Sequence, residues 1–154
     1  MSASPIRLER DGAVAAMVEG CIFCGIVAGD VPGQIIDSDD HTVAFMDINP
    51  ATRGHALVVP RTHSADLFEI LEEDLERTTL AARRLARKIR AGLQPDGFNI
   101  LNSCGTVAWQ TIFHFHLHVV PRYEDDPLKL PWIPREGEAS EIAALADRIR
   151  EAGS

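Results

Sequence analysis

The longest regular pattern of apolar and polar positions lies in the middle of the chain. Apolar or small side chains recur there three and four residues apart, with charged side chains between them, at Leu71, Leu75, Thr78, Ala82, Leu85, Ala86, Ile89 and Leu93. This spacing predicts one amphipathic helix of about six turns. Gly92 and Pro95 are expected to end it, because both residues disfavour a helix interior.

Shorter patterns on either side predict five β-strands. Apolar or alternating runs bounded by turn-forming residues lie at 34–37, 42–47, 55–60, 97–103 and 112–121, and the first two are expected to form a hairpin. A short helix is predicted at 21–29. Another is predicted near the C-terminus, with Ile142, Leu145, Ala146 and Ile149 on one face. These elements predict an α+β domain with its strands in meander order.

The chain is expected to divide into three parts. Residues 1–20 are rich in small side chains, carry only weak helical periodicity and are interpreted as an N-terminal extension. Residues 21–123 hold the predicted sheet and the long helix. Residues 124–154 form a C-terminal tail, proline-rich around Trp132, that ends in the short helix.

Composition narrows the classes of partner and compartment. The 154 residues include 15 basic and 23 acidic side chains, a formal charge of −8, and no basic run offsets it, which argues against nucleic acid as a partner. No apolar stretch approaches the ~20 residues of a membrane span, and the first twenty residues are too acidic for a signal peptide. Three cysteines are too few for a disulfide framework, so a cytoplasmic location is expected. A small anionic ligand remains compatible with this charge.

Three histidines alternate along the last predicted strand. His114, His116 and His118 are expected to share one face, opposite Phe113, Phe115, Leu117 and Val119. Residues on one face of a strand lie about 6.6–7 Å apart, so three such rings do not easily converge on one metal ion. A division of labour is favoured, in which one histidine binds metal and another meets substrate.

Cys21 and Cys24 form a CxxC motif that supplies further metal ligands. A redox interpretation requires this motif at a strand-to-helix junction in a βαβ unit, and no strand is predicted before Cys21. Zinc bound by two thiolates and two histidines is the natural completion of the motif.

These motifs resemble those of the histidine-triad (HIT) family, closest to its HINT-like branch of zinc-binding bacterial nucleoside phosphoramidate hydrolases. The resemblance covers residues 21–123. It rests on Cys21-Ile22-Phe23-Cys24, on residues 44–48 (AFMDI), on residues 54–63 (GHALVVPRTH), on Gln110-Thr111 before the histidines and on Pro121-Arg122 after them.

The resemblance implies a fold, a reaction and a cofactor. The fold is a five-stranded antiparallel sheet with a short N-terminal helix and one long central helix, joined to a second sheet across a homodimer. The reaction is hydrolysis at the α-phosphorus of nucleoside 5′-monophosphate conjugates of the adenosine phosphoramidate type. His116 is the expected nucleophile, and His118 and Thr111 are expected to assist it. A structural zinc ion is expected on Cys21, Cys24, His63 and His114, with no organic cofactor.

The same resemblance implies a site for a purine nucleotide of the AMP type. Its residues are expected to be Ile22, Phe23, Ile26, Phe45, Asp47, Ile48, His55, Leu57, Asn102, Ser103, Trp109 and Gln110. The apolar members are expected around the base. Asp47 is expected beside the ribose hydroxyls, from which a carboxylate accepts hydrogen bonds.

Two alternative functions remain open at this point. The first is hydrolysis of diadenosine polyphosphates or nucleotidyl transfer to an acceptor. The second, from a different class, is a zinc-containing nucleotide-binding scaffold without catalysis.

The sequence departs from the family pattern at three positions. Trp109 stands where the family usually has glycine, so its indole is expected to narrow the leaving-group side. Ser103 aligns with an expected asparagine, whereas Asn102 lies one place earlier, which leaves open which of the two contacts phosphate. Cys104 adds a thiol whose placement is interpreted as incidental.

Overall fold

The computed structural model of the protein describes residues 5–10 and 13–153. Seven strands and three α-helices lie within these residues. In chain order they are β1 (Pro5–Arg10), β2 (Ala13–Val18), α1 (Ile22–Ala28), β3 (Ile35–Ser38), β4 (Thr42–Met46), β5 (Ala56–Pro60), α2 (Glu72–Leu93), β6 (Gly97–Leu101), β7 (Leu117–Arg122) and α3 (Ala139–Glu151).

Five of the strands form one antiparallel sheet in the order β3-β4-β5-β7-β6. The predicted α+β class and the five antiparallel strands are confirmed. The predicted meander order holds for β3 to β5 and is wrong beyond them, because β7 lies between β5 and β6. Val119 and Val120 of β7 are buried, whereas Ile100 and Leu101 of β6 are 48% and 39% exposed. The more apolar strand therefore occupies the interior position, where both of its faces are covered.

Side chains that alternate along β5 divide the core into two layers. Val58 packs in the layer that contains Leu85 of α2, and Leu57 packs in the layer that contains Phe23 of α1 and Phe45 of β4. The two layers lie on opposite faces of the sheet, because neighbouring residues of a strand face opposite sides. The candidate site lies on the α1 side.

The long helix α2 follows the predicted pattern closely. It begins within one residue of the predicted apolar series, but Gly92 lies inside it and does not end it. Gln94 closes the helix in the left-handed conformation with φ of 52°. Arg84 Nε donates to the Asp37 carboxylate at 2.8 Å, which ties the helix to β3.

The N-terminal extension differs from its prediction. β1 and β2 pair as an antiparallel hairpin, with Arg10 opposite Ala13, in place of weakly helical chain. Cross-strand pairing outweighs the helical preference of the alanines in β2. A strand therefore does precede Cys21, contrary to the prediction. It belongs to an antiparallel hairpin, so the redox interpretation still lacks its βαβ unit.

The histidine segment is the second structural correction. β7 begins at Leu117, whereas the alternation predicted a strand from residue 112. The Phe115 N–H donates to the Ser64 carbonyl at 2.7 Å, and the His114 Nε2–H donates to the Pro60 carbonyl at 2.8 Å. These bonds fasten the residues before β7 to the chain that leaves β5. His114, His116 and His118 consequently do not form one row on a strand.

The predicted C-terminal helix is present as α3, and none of its side chains is buried. Ile142, Leu145 and Ile149 are 57%, 48% and 74% exposed. Among the described residues, no helix has the length and apolarity needed to cross a bilayer.

Candidate active site and metal centre

A cavity of about 380 Å³ opens between α1 and the sheet. Ten residues predicted from the sequence line it, and they are Ile22, Phe23, Ile26, Phe45, Asp47, Ile48, Leu57, Thr111, His116 and His118. The structure adds lining residues that sequence reasoning missed, namely Val31, Pro32, Gly33, Met46, Asn49 and Ile112. Most of the added residues directly adjoin predicted ones or form the turn after α1, so proximity in sequence was the available signal.

One end of the cavity is an apolar slot. The rings of Phe23 and Phe45 meet edge to face with centroids 5.3 Å apart. Phe23, Ile26, Phe45 and Leu57 are all buried, and each belongs to the same apolar cluster. A planar heteroaromatic ring suits such a slot, because it removes apolar surface from water without requiring a charge.

Asp47 lies at the polar edge of this slot. Its Oδ1 accepts the Asn49 N–H at 2.8 Å, and its Oδ2 lies 3.5 Å from His55 Nε2. One carboxylate oxygen is thus held by the backbone, and the other faces the histidines. This arrangement fixes the side chain while leaving acceptor capacity for a ligand hydroxyl.

His116 presents an unprotonated nitrogen to the cavity. Its Nδ1 lies 2.7 Å from the His114 carbonyl oxygen, which can only accept, so the proton of the neutral ring is on Nδ1. Its Nε2 therefore carries a lone pair. Burial lowers the pKa of His116, which keeps the ring neutral.

His118 has the opposite arrangement, set by a chain of three groups. The Ala51 N–H donates to His55 Nδ1 at 3.0 Å, so the proton of His55 is on Nε2. This Nε2–H donates to His118 Nδ1 at 2.9 Å, which leaves the proton of His118 on its own Nε2. Burial, aided by repulsion from His116 and His55, lowers the pKa of His118 to about 4. The His116 and His118 ring centroids are 4.9 Å apart.

Several residues predicted to bind the ligand lie outside the cavity lining and make hydrogen bonds within the protein. His55 lies outside the cavity lining and supports His118. Gln110 Oε1 accepts the Gly105 N–H, and its Nε2 donates to the Ala65 and Ile112 carbonyls. Asn102 Nδ2 donates to the His116 carbonyl at 3.0 Å. These polar groups are committed to intramolecular hydrogen bonds, which sequence spacing cannot reveal.

The remaining departures from the family pattern also lie outside the cavity lining. Ser103 is buried, and Trp109 is 70% exposed with a left-handed φ of 73°. Cys104 is partly exposed and separate from the other two thiols.

Cys21, Cys24, His63 and His114 come together at the other side of α1. Their four ligand atoms all lie within 4.8 Å of one another. His63 Nδ1 and His114 Nδ1 are 3.2 Å apart, and Cys24 Sγ lies 3.4 and 3.5 Å from these two nitrogens. A tetrahedron with the usual zinc–nitrogen and zinc–sulfur bond lengths has edges of about 3.3 Å between nitrogens and about 3.6 Å between nitrogen and sulfur. The residues therefore fit a tetrahedral zinc ion.

The protonation of this cluster also suits a metal. The bond from His114 Nε2–H to the Pro60 carbonyl leaves the lone pair of Nδ1 directed at the other ligands. The hydrogen bond with Cys24 lowers the pKa of Cys21 to about 3, and the same contact raises the pKa of Cys24. One thiolate is thus available at neutral pH, and a metal ion would displace the remaining thiol proton.

Comparison with known proteins agrees with this geometry. The model of the HIT domain family matches residues 28–125. The chain is 44% identical over 105 residues to the protein hit of Bacillus subtilis, covering 68% of this chain and 72% of that protein. It is 34% identical over 130 residues to a Schizosaccharomyces pombe protein named adenosine 5′-monophosphoramidase, covering 84% and 95% of the two chains.

A solved structure extends the comparison to the metal. A Zn-bound histidine triad family protein from Mycobacterium smegmatis superposes with a TM-score of 0.69 and 41% identity, over 86% of this chain and 98% of that one. The matched family model spans well over half of the chain. The protein belongs to the HIT family.

Proposed function

We propose that the protein is a nucleotide hydrolase that acts at the α-phosphorus of nucleoside 5′-monophosphate conjugates, of the adenosine phosphoramidate type. The observation that carries this proposal is the opposite protonation of two adjacent imidazoles in one cavity. His116 offers a lone pair at Nε2, and His118 offers a proton at Nε2. Similarity to the S. pombe protein named adenosine 5′-monophosphoramidase supports the same substrate class.

The substrate is oriented by the two ends of the cavity. The base occupies the apolar slot between Phe23 and Leu57, and the ribose hydroxyls donate to Asp47. The α-phosphoryl group then lies beside His116 and His118. Thr111, which also lines the cavity, contributes a hydroxyl donor to the phosphoryl oxygens.

The reaction proceeds in two displacements at phosphorus. The leaving nitrogen is protonated by water, His116 Nε2 attacks the α-phosphorus, the P–N bond breaks, and a neutral amine departs, while the His118 Nε2–H donates a hydrogen bond to the reacting group and keeps its proton. Water then attacks the nucleotidyl-His116 intermediate and releases its proton to solvent. The bond between phosphorus and His116 breaks, and a nucleoside monophosphate is released. One difficult step is thereby divided into two easier ones.

The charge of the cavity favours phosphoramidates over the alternative substrates. Among the described lining residues there is no lysine or arginine, and Asp47 is a carboxylate. A phosphoryl centre with a single negative charge needs only N–H and hydroxyl donors. A diadenosine polyphosphate would bring several negative charges into a site without a cationic partner.

We further propose that Cys21, Cys24, His63 and His114 hold a structural zinc ion. The ion would supply a cross-link between the start of α1, the chain after β5 and the chain before β7. His114 connects this cross-link to the reaction, because its own carbonyl accepts the Nδ1 proton of His116. The nucleophile is therefore oriented by a residue of the metal centre.

The protein is proposed to act as a homodimer in the cytoplasm. β6 is an edge strand with Ile100 and Leu101 partly exposed, which suits pairing with a second copy. The three cysteines are free of disulfides, as a reducing compartment requires. Sedimentation of wild type and of Ile100→Glu tests the dimer, and two dimeric proteins would contradict pairing at this edge.

Replacement of His116 tests the hydrolase proposal. His116→Asn should lower kcat on an adenosine phosphoramidate roughly 10³-fold or more, because it removes the Nε2 lone pair that is proposed to attack phosphorus. Binding of AMP, measured by calorimetry, should persist. Mass spectrometry of wild type quenched during turnover should detect a nucleotidyl adduct that the variant lacks.

The same experiment separates the alternatives. Faster cleavage of diadenosine polyphosphates by wild type would favour that substrate class. Absence of both AMP release and adduct would favour a nucleotide-binding scaffold. Unchanged turnover by His116→Asn would refute the assigned nucleophile.

A further inference from the structure

The end of β2 lies directly against the metal centre. The Val18 N–H donates to Cys24 Sγ at 3.4 Å, and the Cys21 N–H donates to the Val18 carbonyl at 3.2 Å. Gly20, with φ of +83°, makes the turn that brings Val18 back over the CxxC motif. One residue of the extension thus touches both cysteines.

Met17 covers the same place. Its side chain is 4% exposed and belongs to the apolar cluster that contains Phe23 and Cys24. Methionine fills irregular gaps well, since its side chain is unbranched and polarisable. Met17 and Cys24 line the same cavity, so the Met17 side chain is part of the apolar cover of Cys24.

The backbone hydrogen bonds to the proposed metal ligands show what Val18 contributes. Cys21 Sγ accepts the Cys24 N–H at 3.4 Å from within the motif, and the His114 Nε2–H is held by Pro60. Cys24 Sγ takes its backbone donor from Val18, which precedes the motif. Both thiolates thus receive a backbone N–H, but the second one depends on the extension.

We infer that residues 17–18 form an outer shell of the metal centre that controls how firmly the metal is held. The inference rests on the proposed zinc site. It gives a role to residues 17–18, which precede the region 28–125 matched by the family model. A hydrogen bond to sulfur stabilises the thiolate that binds the metal, and loss of such an outer contact typically costs 10–100-fold in metal affinity. The apolar cover adds to this by excluding water and chelators from the Cys24 side.

Two matched pairs of variants in the full chain test the inference. Val18→Pro removes the N–H, whereas Val18→Ala keeps it. Met17→Ala opens the cover, whereas Met17→Leu keeps it closed. Zinc release to a chelating dye is followed for all four variants, and the thiolate-to-cobalt absorption band is recorded after substitution with Co²⁺.

Val18→Pro and Met17→Ala should release zinc roughly 10–100-fold faster than wild type, and their partner variants should release it at close to the wild-type rate. Val18→Pro alone should also shift the cobalt band, since only this change alters the electron density at sulfur. Should Val18→Pro fail to fold, the methionine pair decides the question. Equal release rates within each pair would overturn the inference while leaving the zinc site intact. Purified wild type without zinc would refute both the zinc site and its outer shell.

Discussion

Two groups of side chains that could ligate a metal ion lie on the same side of the sheet, and we propose different chemistry for each. Both the metal centre and the trio of Asp47, His55 and His118 place their ligand atoms within 4.8 Å of one another. In the metal centre the His114 Nε2–H donates to the Pro60 carbonyl, so the lone pair on His114 Nδ1 faces inward. In the trio the Ala51 N–H donates to His55 Nδ1, so the proton on His55 Nε2 faces inward.

The difference teaches that residue type and proximity do not define such a site. The direction of the outer backbone partner does, because it decides which ring nitrogen keeps the proton. A carbonyl on the outer nitrogen leaves a lone pair facing inward, and an N–H there leaves a proton facing inward. We therefore expect one zinc ion per chain.

The largest expected effect comes from breaking the metal centre. Cys24→Ala should lose the zinc ion and about 3 kcal/mol of unfolding free energy, which corresponds to a fall in Tm on the order of 10 °C. The reason is that the cross-link between three chain segments disappears while His63 and His114 remain crowded at 3.2 Å. Zinc content and thermal unfolding with and without chelator measure this.

Cys104→Ser is the matched control for that change. It removes the thiol that lies outside the ligand group, so zinc content and Tm should stay at wild-type values. A Cys24→Ala protein with unchanged Tm would contradict a structural role for the metal.

A smaller effect is expected from breaking the proton chain, the hydrogen bonds that run from the Ala51 N–H through His55 to His118. His55→Phe keeps a ring of similar shape but removes the donor to His118, so His118 no longer has a fixed tautomer. The kcat should fall roughly 100-fold while one zinc ion is retained. Steady-state kinetics together with elemental analysis measure both quantities.

Asp47→Asn separates the effect of charge from the effect of the hydrogen bond. It removes the negative charge beside His55 and His118 and leaves the hydrogen bond between them in place. Its main effect should be a higher KM, since Asp47 is proposed to bind ribose. Equal kcat values for His55→Phe and wild type would show that His118 needs no support from His55.

The smallest expected effect is a dependence of stability on pH. Burial lowers the pKa values of His55, His116 and His118, the last to about 4, whereas unfolded histidines titrate near 6.5. The unfolded chain therefore binds more protons between these values. The contribution of these rings to stability is full above pH 6.5 and declines as the pH falls towards 4.

Denaturant unfolding at pH 7 and pH 5 measures this decline, with zinc content checked at each pH to separate the two sites. His116→Asn removes a repulsive neighbour and should raise the pKa of His118, which an NMR titration detects. A His118 resonance that titrates near 6.5 in the wild-type protein would contradict the arrangement of the proton chain.

Much of the site was predictable because its residue types are spaced in recognisable motifs. The four proposed metal ligands and ten of the cavity residues follow from the motifs around Cys21, Asp47 and His116. Other contacts of the predicted residues depend on long-range backbone bonds, which spacing does not reveal. Gln110 is an example, because its amide is satisfied by the carbonyl of Ala65, forty-five residues earlier.

The same limit explains the errors in the fold. Alternation at residues 112–116 imitates a strand, yet the bond from the Phe115 N–H to the Ser64 carbonyl holds this segment away from the sheet. Hydrophobic spacing describes which side chains become buried. It does not describe which backbone groups pair with distant segments of the chain, and this pairing also places β7 between β5 and β6.

His114 belongs to both halves of the site at once. Its ring is directed through Nδ1 at the other proposed metal ligands, and its carbonyl accepts the Nδ1 proton of His116, the proposed nucleophile. For protein engineering, the metal centre is consequently not an independent module. Substitutions at Cys21, Cys24 or His63 change the contacts of the His114 ring. A redesign that moves the His114 backbone also changes the orientation of His116, the proposed nucleophile.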